Sequence, residues 1–350
     1  MKKIILLVFL LPVTWFGTAQ IPAYYSTIDF SLNGDSLKQE LSELITNTHS
    51  ITLIYTPDVW NVLKQTDLDP NDTSKVLLIY GYDDNDATSQ NDRSRNWWLN
   101  CTTSSCNGLW VREHVYPRSL GTPNLGFEFA GADAHCLRSI DNQMNSSRSN
   151  RPFDLGSGNA GVLVNGNFYP GDEWKGDVAR MIMYMYLRYN FQCQPNNVGA
   201  GPSSIAPYGD MPDLFLYWNE ADSVSPYEMN RNNLMEQFQG NRNPFIDNPY
   251  LAYKIWGGPS PTDPWNMQAI GINPLTDQRL NIIPTRSDGL YFFNASLSSP
   301  IRVQLINVNG QVMKETYSNH SIDFRGTPPG WYLLAAIEGD KIRRFKVVVE

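Results

Sequence analysis

The sequence predicts an α+β protein in which mixed helices and short strands precede an all-β sandwich. Two observations support this prediction. Up to residue 268, segments with helical apolar spacing alternate with short strand-like runs and loops. Beyond that point, short β-branched runs follow one another with turn signals between them. The length of 350 residues also favours two domains.

Residues 1–19 have the pattern of a secretory signal peptide. Lys2 and Lys3 precede an apolar stretch at residues 4–11 that is too short to span a bilayer. We therefore expect cleavage after Ala19, transit through the periplasm, and a secreted, extracellular or cell-surface location. An uncleaved N-terminal anchor is the alternative. No later apolar run is long enough for a transmembrane helix.

Residues 20–268 form the predicted first domain. Asp35 is the candidate N-cap of its first helix. The acidic stretch at residues 67–72 lacks the glycine and the distal glutamate of a calcium-binding EF-hand loop, so we interpret it as a solvated turn. The apolar spacing predicts helices over 36–46, 57–64, 141–150, 177–189 and 232–238, and strands over 75–80, 110–116 and 134–137.

The segment from residue 110 to residue 150 combines strand, loop, strand and helix with groups suited to phosphate chemistry. His114 is an imidazole that accepts a proton near neutral pH. Glu113 and Asn145 supply oxygen atoms that suit Mg²⁺ carrying several waters. These groups predict metal-assisted hydrolysis of a phosphodiester. Neighbouring strand residues point to opposite faces, so Glu113 and His114 share a site only if the strand is twisted or the metal lies at its edge.

Arginines make the same segment locally basic, although the formal net charge of the chain is −8. A guanidinium group pairs well with phosphate oxygens because it offers two parallel N–H bonds. The negative total charge argues against a general electrostatic clamp on nucleic acid, but it does not exclude a basic groove. The arginines of this segment are Arg112, Arg118, Arg138, Arg148 and Arg151.

These residues resemble the signature of the bacterial endonuclease I family, which has a ββα-metal (His-Me finger) site. Residues 175–189 and 239–256 resemble two further blocks of that family, so the resemblance covers about residues 22–258. The matching positions are Arg112-Glu113-His114-Val115 with Pro117, then Asp133, His135, Leu137 and Arg138, then Asn145, Arg148 and Asn150.

The resemblance implies a metal-dependent, sequence-nonspecific endonuclease. His114 would activate water, while Glu113 and Asn145 would hold Mg²⁺, with Mn²⁺ or Ca²⁺ as substitutes. Products would carry 5′-phosphates. DNA is the expected substrate and RNA is the alternative, because hydrolysis neither requires nor forbids a 2′-hydroxyl. A catalytically inactive surface binding protein is a further alternative, which the intact Glu113, His114 and Asn145 argue against.

The resemblance also assigns roles to the other polar residues. Because no arginine lies between Arg118 and Arg138, the arginine that offsets charge in the transition state stays open. Arg148 and Arg138 would contact phosphate, Arg112 and Arg118 are secondary candidates, and Asp133, His135 and Asn150 would brace the hairpin and the helix.

Residues 269–350 form the predicted β-sandwich. Asn309-Gly310 and Gly339-Asp340 are hairpin turn signals. Asn273-Pro274 and Gly330-Trp331-Tyr332, with a basic last strand, resemble the sorting domains of type IX secretion cargo and imply contact with secretion machinery. An adhesive or carbohydrate-binding sandwich is the alternative. Strands are predicted over 290–293, 301–308, 311–317, 321–324, 331–337 and 342–349.

The four cysteines predict disulfides, because an exported chain meets an oxidising environment. Three pairings are possible. Close spacing favours Cys101 with Cys106, which leaves Cys136 with Cys193, but the sequence does not select among the pairings. A zinc site is disfavoured because no paired CxxC spacing is present.

Overall fold

The structure, a computed structural model, describes residues 21–270, 282–283, 286–293, 300–307, 310–319, 321–338 and 341–350. The predicted signal peptide, Asn273-Pro274, Val308-Asn309 and Gly339-Asp340 lie outside the described residues. The chain divides into two compact units, Met1–Ile272 and Asn273–Glu350. Within the described residues, no helix has both the length and the apolar character needed to cross a lipid bilayer.

The helices of the first unit begin and end close to the predicted bounds where one face is apolar. The exceptions have local causes. The predicted helix over 232–238 begins earlier, at Pro226, because Ser225 and Glu228 form a capping box there. The helices are α1 Gly34–Asn47, α2 Asp58–Thr66, α3 Asn142–Arg148, α4 Lys175–Tyr189, α5 Asp213–Ala221, α6 Pro226–Gln239, α7 Pro244–Asp247 and α8 Tyr250–Trp256.

Short 3₁₀ helices connect these elements, and three of them belong to the segment from residue 110 to residue 150 that builds the site. The predicted N-cap of α1, Asp35, is wrong, because the helix begins two residues earlier than predicted, at Gly34, and Asn33 is its N-cap. The 3₁₀ helices span Ala23–Tyr25, Ser89–Asn91, Arg118–Leu120, Phe129–Gly131, Ala134–Cys136, Asn190–Cys193, Pro195–Asn197 and Met267–Ile270.

Three small antiparallel sheets complete the first unit. They are β1-β2-β3, β4-β5 and β6-β7. In the β4-β5 hairpin, Glu113 is opposite Arg138 and His114 is opposite Leu137. The strands are β1 Leu68–Asp69, β2 Asp72–Leu77, β3 Ser94–Asn96, β4 Trp110–His114, β5 Leu137–Asp141, β6 Gly161–Val162 and β7 Phe168–Tyr169.

The strand predicted over 134–137 is largely a 3₁₀ turn, and β5 begins only at Leu137. The cause is Asp133, whose carboxylate accepts a hydrogen bond from the backbone N–H of His135 and caps the turn. An aspartate that binds the backbone two residues ahead favours a turn over an extended strand. The second strand of the hairpin, β5, therefore begins later than predicted and lies directly before the helix α3.

Apolar packing covers both faces of the β4-β5 hairpin. Trp110 and Leu137 belong to a cluster that includes α2 side chains, whereas Val115 and Ile140 belong to the large core around α4. A strand buried on both faces cannot shift its register by one residue without exchanging the side chains of the two cores. The hairpin is therefore a fixed platform.

Asp133 joins the hairpin to distant helices. Its buried carboxylate accepts four hydrogen bonds, from His135 N, Gln239 Nε2 and the hydroxyls of Tyr184 and Tyr189. Burial alone would raise the pKa of Asp133, but the neighbouring imidazoles and these donors hold it below the ordinary aspartate value. This position fits the predicted bracing role.

The predicted presence of a disulfide is confirmed, and it joins the pair that close spacing favours. Cys101 and Cys106 are bonded, whereas Cys136 and Cys193 are free thiols. Both free cysteines are buried, and burial raises their pKa values, so they stay protonated and behave as small apolar core residues.

In the residues that the structure describes, the second unit contains two sheets around one apolar core. Their strand orders are β13-β10-β8 and β12-β11-β14-β15-β9. Tyr291 and Ile322 from the first sheet share the core with Val303, Leu334 and Val347 from the second. The strands are β8 Ile282–Ile283, β9 Arg286–Ser287, β10 Leu290–Phe293, β11 Ile301–Asn307, β12 Val312–Ser318, β13 Ser321–Asp323, β14 Gly330–Glu338 and β15 Lys341–Val349.

We expect Asp133→Asn to lower the free energy of unfolding by about 1–3 kcal/mol at neutral pH, because buried donors lose a charged acceptor. The difference from the wild type should shrink as the pH falls below about 4. A carboxylate whose folded pKa is depressed stabilises the fold above its unfolded pKa, and this contribution is lost as it protonates. Denaturant unfolding measures both effects. The exposed Glu43→Gln is the control, and an equal loss in both variants would contradict the prediction.

Candidate active site

An open cleft of about 550 Å³ lies at the end of the β4-β5 hairpin. It brings together six of the residues predicted from the sequence: Arg112, Glu113, His114, Arg118, Asn145 and Asn150. The remaining lining residues are Tyr55, Pro117, Ser119, Asn124 and Ser149.

Glu113 and His114 both border this cleft although they are neighbours on one strand. Strand β4 ends at His114. Side chains from the two faces of a strand diverge along its length, but at its end they can flank the same space. The sequence required a twisted strand or a metal at its edge, and the position of His114 at the end of β4 lets both side chains border the cleft.

Glu113 is a buried carboxylate with one occupied and one available oxygen. Tyr80 donates a hydrogen bond to Oε1 at 3.3 Å, and Arg148 Nε lies 3.6 Å from the same oxygen. Among the described residues, Oε2 accepts no hydrogen bond. Burial raises the pKa of Glu113 to about 7, against the opposing effect of Arg148. A cation in the cleft would therefore meet a carboxylate that lacks solvent and lacks a second partner.

Asn145 reaches the cleft from the first turns of α3. Asp141 sets where this helix begins, because its carboxylate accepts hydrogen bonds from the N–H groups of Gln143 and Met144. Arg95 holds the other oxygen of Asp141 at 2.6 Å. The cap fixes the helix against the hairpin, so the Asn145 amide faces the same space as Glu113.

His114 is held by a single backbone contact. Its Nε2 lies 2.8 Å from the carbonyl oxygen of Gly131. A carbonyl only accepts, so Nε2 carries the proton and Nδ1 is the nitrogen that can accept one. Burial, aided by Arg118 and Arg112, lowers the pKa of His114 to about 4, so the ring is neutral near pH 7. The imidazole is thus in the form that a general base requires.

Position 131 has space for a glycine only. A Cβ at this position would lie 2.2 Å from the carbonyl oxygen of Gly126 and 2.8 Å from that of Leu125. Both neighbours are backbone atoms, which cannot rotate away as a flexible side chain can. Any larger residue would displace the carbonyl that orients His114.

Arg112 and Arg118 present guanidinium groups to the cleft, and aromatic rings hold both. Arg112 stacks over Tyr55 at 3.6 Å and over Trp60 at 4.1 Å. Arg118 stacks over Phe127 at 3.8 Å and donates one hydrogen bond to the carbonyl oxygen of Gly126. Such cation–π contacts orient a cation while leaving most of its N–H groups free.

Arg148 does not occupy the position predicted for a phosphate contact. Its side chain is fully buried and donates to the carbonyl oxygens of Ser149, Arg151 and Val115. It lies behind Glu113 and outside the residues that line the cleft. The geometry therefore corrects the prediction: Arg148 braces the end of α3 and partly offsets the charge of Glu113.

Arg138 is likewise a structural arginine and not a cleft residue. It is 1 % exposed, and its guanidinium lies 3.1 Å from Asp177 and 3.7 Å from Asp67. Burial alone would lower the pKa of Arg138, but Tyr227 and the two carboxylates raise it above the ordinary arginine value. The predicted phosphate contact would require it to leave these partners.

The residues predicted to brace the site divide into two kinds. His135 is buried, with Nε2 3.2 Å from the carbonyl oxygen of Asn241, and it packs on Tyr184. Asn150 is exposed and borders the cleft, where its amide lies 3.4 Å from Ser119 Oγ. His135 thus fits the predicted bracing role, whereas Asn150 links the end of α3 to the loop after β4 at the edge of the cleft.

Three residues of the site were missed from the sequence: Tyr55, Phe127 and Gly131. Tyr55 stacks against His114 with a centroid separation of 5.5 Å although it lies far away in the chain. No motif marks it. The glycine of residues 129–131 gave a local signal, because a conformationally free residue just before the second strand is typical of a close backbone approach.

The oxygen donors of the cleft fit a hard divalent cation. In the part of the chain that the structure describes, no three His, Cys, Asp or Glu side chains cluster in a manner suited to a metal ion. The candidate set is instead one carboxylate and one amide oxygen, from Glu113 and Asn145. Mg²⁺ keeps several waters and often takes only one or two protein ligands beside substrate phosphate, which such a set allows.

Comparison with known proteins identifies relatives over most of the first unit. A family model described as Endonuclease I matches residues 33–250. An "Extracellular ribonuclease" of Bacillus subtilis (strain 168) is 38% identical over 249 residues, covering 68% of this chain and 80% of that protein. An "Extracellular ribonuclease" of Bacillus amyloliquefaciens is 38% identical over 251 residues, with the same coverage.

We expect Arg138→Met to lower the free energy of unfolding by about 3 kcal/mol or more, because it leaves two buried carboxylates short of a partner. Arg118→Met should cost less, about 1 kcal/mol, since it removes a partly exposed stacking contact and one hydrogen bond to a backbone carbonyl and leaves no buried carboxylate unpaired. Urea denaturation of both variants measures the difference. Equal losses would show that the two arginines are not divided into a buried and a cleft-facing role.

Proposed function

The chain belongs to the endonuclease I family, and from this premise we propose that it is an exported, metal-dependent, sequence-nonspecific endonuclease that hydrolyses phosphodiester bonds to 5′-phosphate ends. One observation carries the proposal: Glu113, His114 and Asn145 border a single cleft beside two guanidinium groups. The hairpin β4-β5 and the helix α3 supply these groups in the order of a ββα-metal site.

His114 is the general base of the proposed reaction. Its protonated Nε2 is committed to Gly131, so Nδ1 takes a proton from the attacking water. The neutral ring can do this near pH 7 without first losing a proton. Tyr55 packs along the ring, so the imidazole keeps one orientation as the proton arrives.

Glu113 and Asn145 would hold Mg²⁺ through Oε2 and the amide oxygen. The chemistry that the bound ion supplies is charge stabilisation at the scissile phosphate and at the leaving 3′ oxygen. Arg148 stays behind Glu113 and keeps the carboxylate aimed at the cleft, because it ties the end of α3 to the end of β4.

Arg112 and Arg118 take the phosphate contacts that the sequence assigned to Arg148 and Arg138. Both line the cleft, and both are held by ring stacking. Guanidinium groups fixed in this way bind the non-bridging oxygens and offset charge that develops in the transition state. Phosphate contacts carry no sequence information, which agrees with a nonspecific enzyme.

RNA joins DNA as a proposed substrate. The two relatives are named extracellular ribonucleases, whereas the sequence put DNA first. The proposed mechanism takes its nucleophile from water and so makes no demand on the 2′-hydroxyl. We therefore expect cleavage of both polymers, with 3′-hydroxyl and 5′-phosphate ends in each case.

We also propose that the protein is exported from the cell. The signal-like residues 1–19 and the word extracellular in the names of both relatives support it. The second unit is proposed as a type IX secretion sorting domain that contacts the secretion machinery, on the strength of its sequence motifs and its compact β fold.

The decisive experiment incubates the full chain with plasmid DNA and with RNA in Mg²⁺, in EDTA, and as the His114→Ala variant. We expect cleavage of both polymers in Mg²⁺, loss of cleavage in EDTA, and a fall in kcat of about 10²–10⁴-fold in the variant. Cyclic 2′,3′-phosphate ends on RNA would contradict attack by water. If neither polymer is cleaved in Mg²⁺, the proposed function is wrong and the alternative of a binding protein is favoured.

We expect Gly131→Ala to lower kcat about tenfold or more, because the displaced carbonyl no longer orients His114. Its Tm should be compared with that of Gly161→Ala, a glycine with open space around its Cβ direction and no positive φ. If activity falls only in proportion to the folded fraction, Gly131 has no role in positioning the base.

A further inference from the structure

A cluster of exposed apolar side chains borders the cleft on the side of His114. We call Ile54, Tyr55, Phe127 and Phe129 the aromatic shelf. Phe127 is 54 % exposed, Phe129 is 66 % exposed and Ile54 is 64 % exposed. These residues, with four neighbours, line a depression of about 420 Å³. Large apolar groups gathered in one exposed patch beside a functional cleft are typical of a contact surface.

The shelf and the cleft are continuous. Tyr55 lines both of them. Phe127 packs on Tyr55 at 4.9 Å between ring centroids and carries Arg118 on its ring. A ligand whose phosphate sits between the cleft arginines would therefore place its next flat group over the shelf.

The backbone of the shelf is tied to the candidate base. Phe129 starts the 3₁₀ turn that ends at Gly131, whose carbonyl binds His114. Phe129 itself has a φ of 45°, which is unfavourable for a bulky residue. This conformation is maintained while the ring stays in solvent, so the turn does not serve to bury it.

The chemistry of the neighbouring charges selects the occupant. Cations on one side and the exposed rings of Phe127 and Phe129 on the other match a nucleotide, whose phosphate is anionic and whose base is a flat π surface. In a duplex both faces of each base are already stacked. Only an unpaired base can turn onto a protein ring, and such stacking tolerates any base identity.

We propose that the aromatic shelf binds an unpaired base next to the scissile phosphate, so that the enzyme prefers single-stranded or looped nucleic acid over a regular duplex. This inference rests on the proposed function and adds a substrate class to it. Phe129 is the outermost stacking residue, and Tyr55 forms the wall that separates the stacked base from His114.

The test uses Phe129→Leu, which keeps apolar volume but removes the ring. Phe191→Leu is the matched control, because Phe191 is 67 % exposed and lies outside both the shelf and the cleft. Cleavage of a single-stranded oligonucleotide and of its duplex is compared in Mg²⁺. We expect kcat/KM on the single strand to fall about five- to tenfold in Phe129→Leu, with a smaller fall on the duplex and no change in the control.

A second experiment tests whether an oligonucleotide binds at the aromatic shelf in the absence of catalysis. The His114→Ala chain is mixed with a single-stranded oligonucleotide that carries 5-iodouracil, irradiated, and mapped by mass spectrometry. A crosslink on the peptide that carries Phe127 and Phe129 supports the proposal. Crosslinks elsewhere, or equal losses on single strand and duplex in the first arm, would overturn it while leaving the nuclease intact. A wild type that binds the oligonucleotide at the shelf but cuts nothing would overturn the proposed function alone.

Discussion

The β4-β5 hairpin depends on charged side chains that are buried against it and paired with opposite charges. Arg138 lies between Asp67 and Asp177, while Arg231 binds Asp67 and the carbonyl oxygens of Ala134 and Leu137. Removing one member of such a network leaves an uncompensated charge in a poorly solvated interior. The network therefore tolerates few arrangements of strand and helix, and it gives the cleft at the end of the hairpin a rigid support.

This constraint explains why the meeting of Glu113, His114 and Asn145 at one cleft could be predicted from the sequence and the burial of the arginines could not. Glu113 and His114 lie on one strand and Asn145 lies on the helix after the hairpin, so their order along the chain already places them near one another. Whether an arginine is buried depends instead on partners that are remote in sequence. Asp177 lies on α4 and Asp67 lies between α2 and β1. No motif near Arg138 in the sequence indicates either contact.

The same distinction holds for the elements of the fold. Helix α4 was predicted within two residues because its apolar positions repeat with helical spacing, whereas the shorter α5, of nine residues, was missed. The turn over Ala134–Cys136 was predicted as strand because its residues are apolar, but one side-chain hydrogen bond from Asp133 decides its conformation. Hydrophobic patterns indicate which residues are buried, but they do not reveal an individual polar contact.

An acidic chain can act on a polyanion if its few useful cations are fixed where phosphate must lie. Arg112 and Arg118 meet this condition because Tyr55, Trp60 and Phe127 hold them by stacking and not by carboxylates, which would cancel their charge. By contrast, Arg138 and Arg148 lie against carboxylates and are buried. Rings also lie beside Arg138 and Arg148, so burial and carboxylate partners, and not stacking, separate the two groups of arginines. A guanidinium without a carboxylate partner stays available for phosphate, and the rings of Tyr55 and Phe127 belong to the proposed surface for an unpaired base.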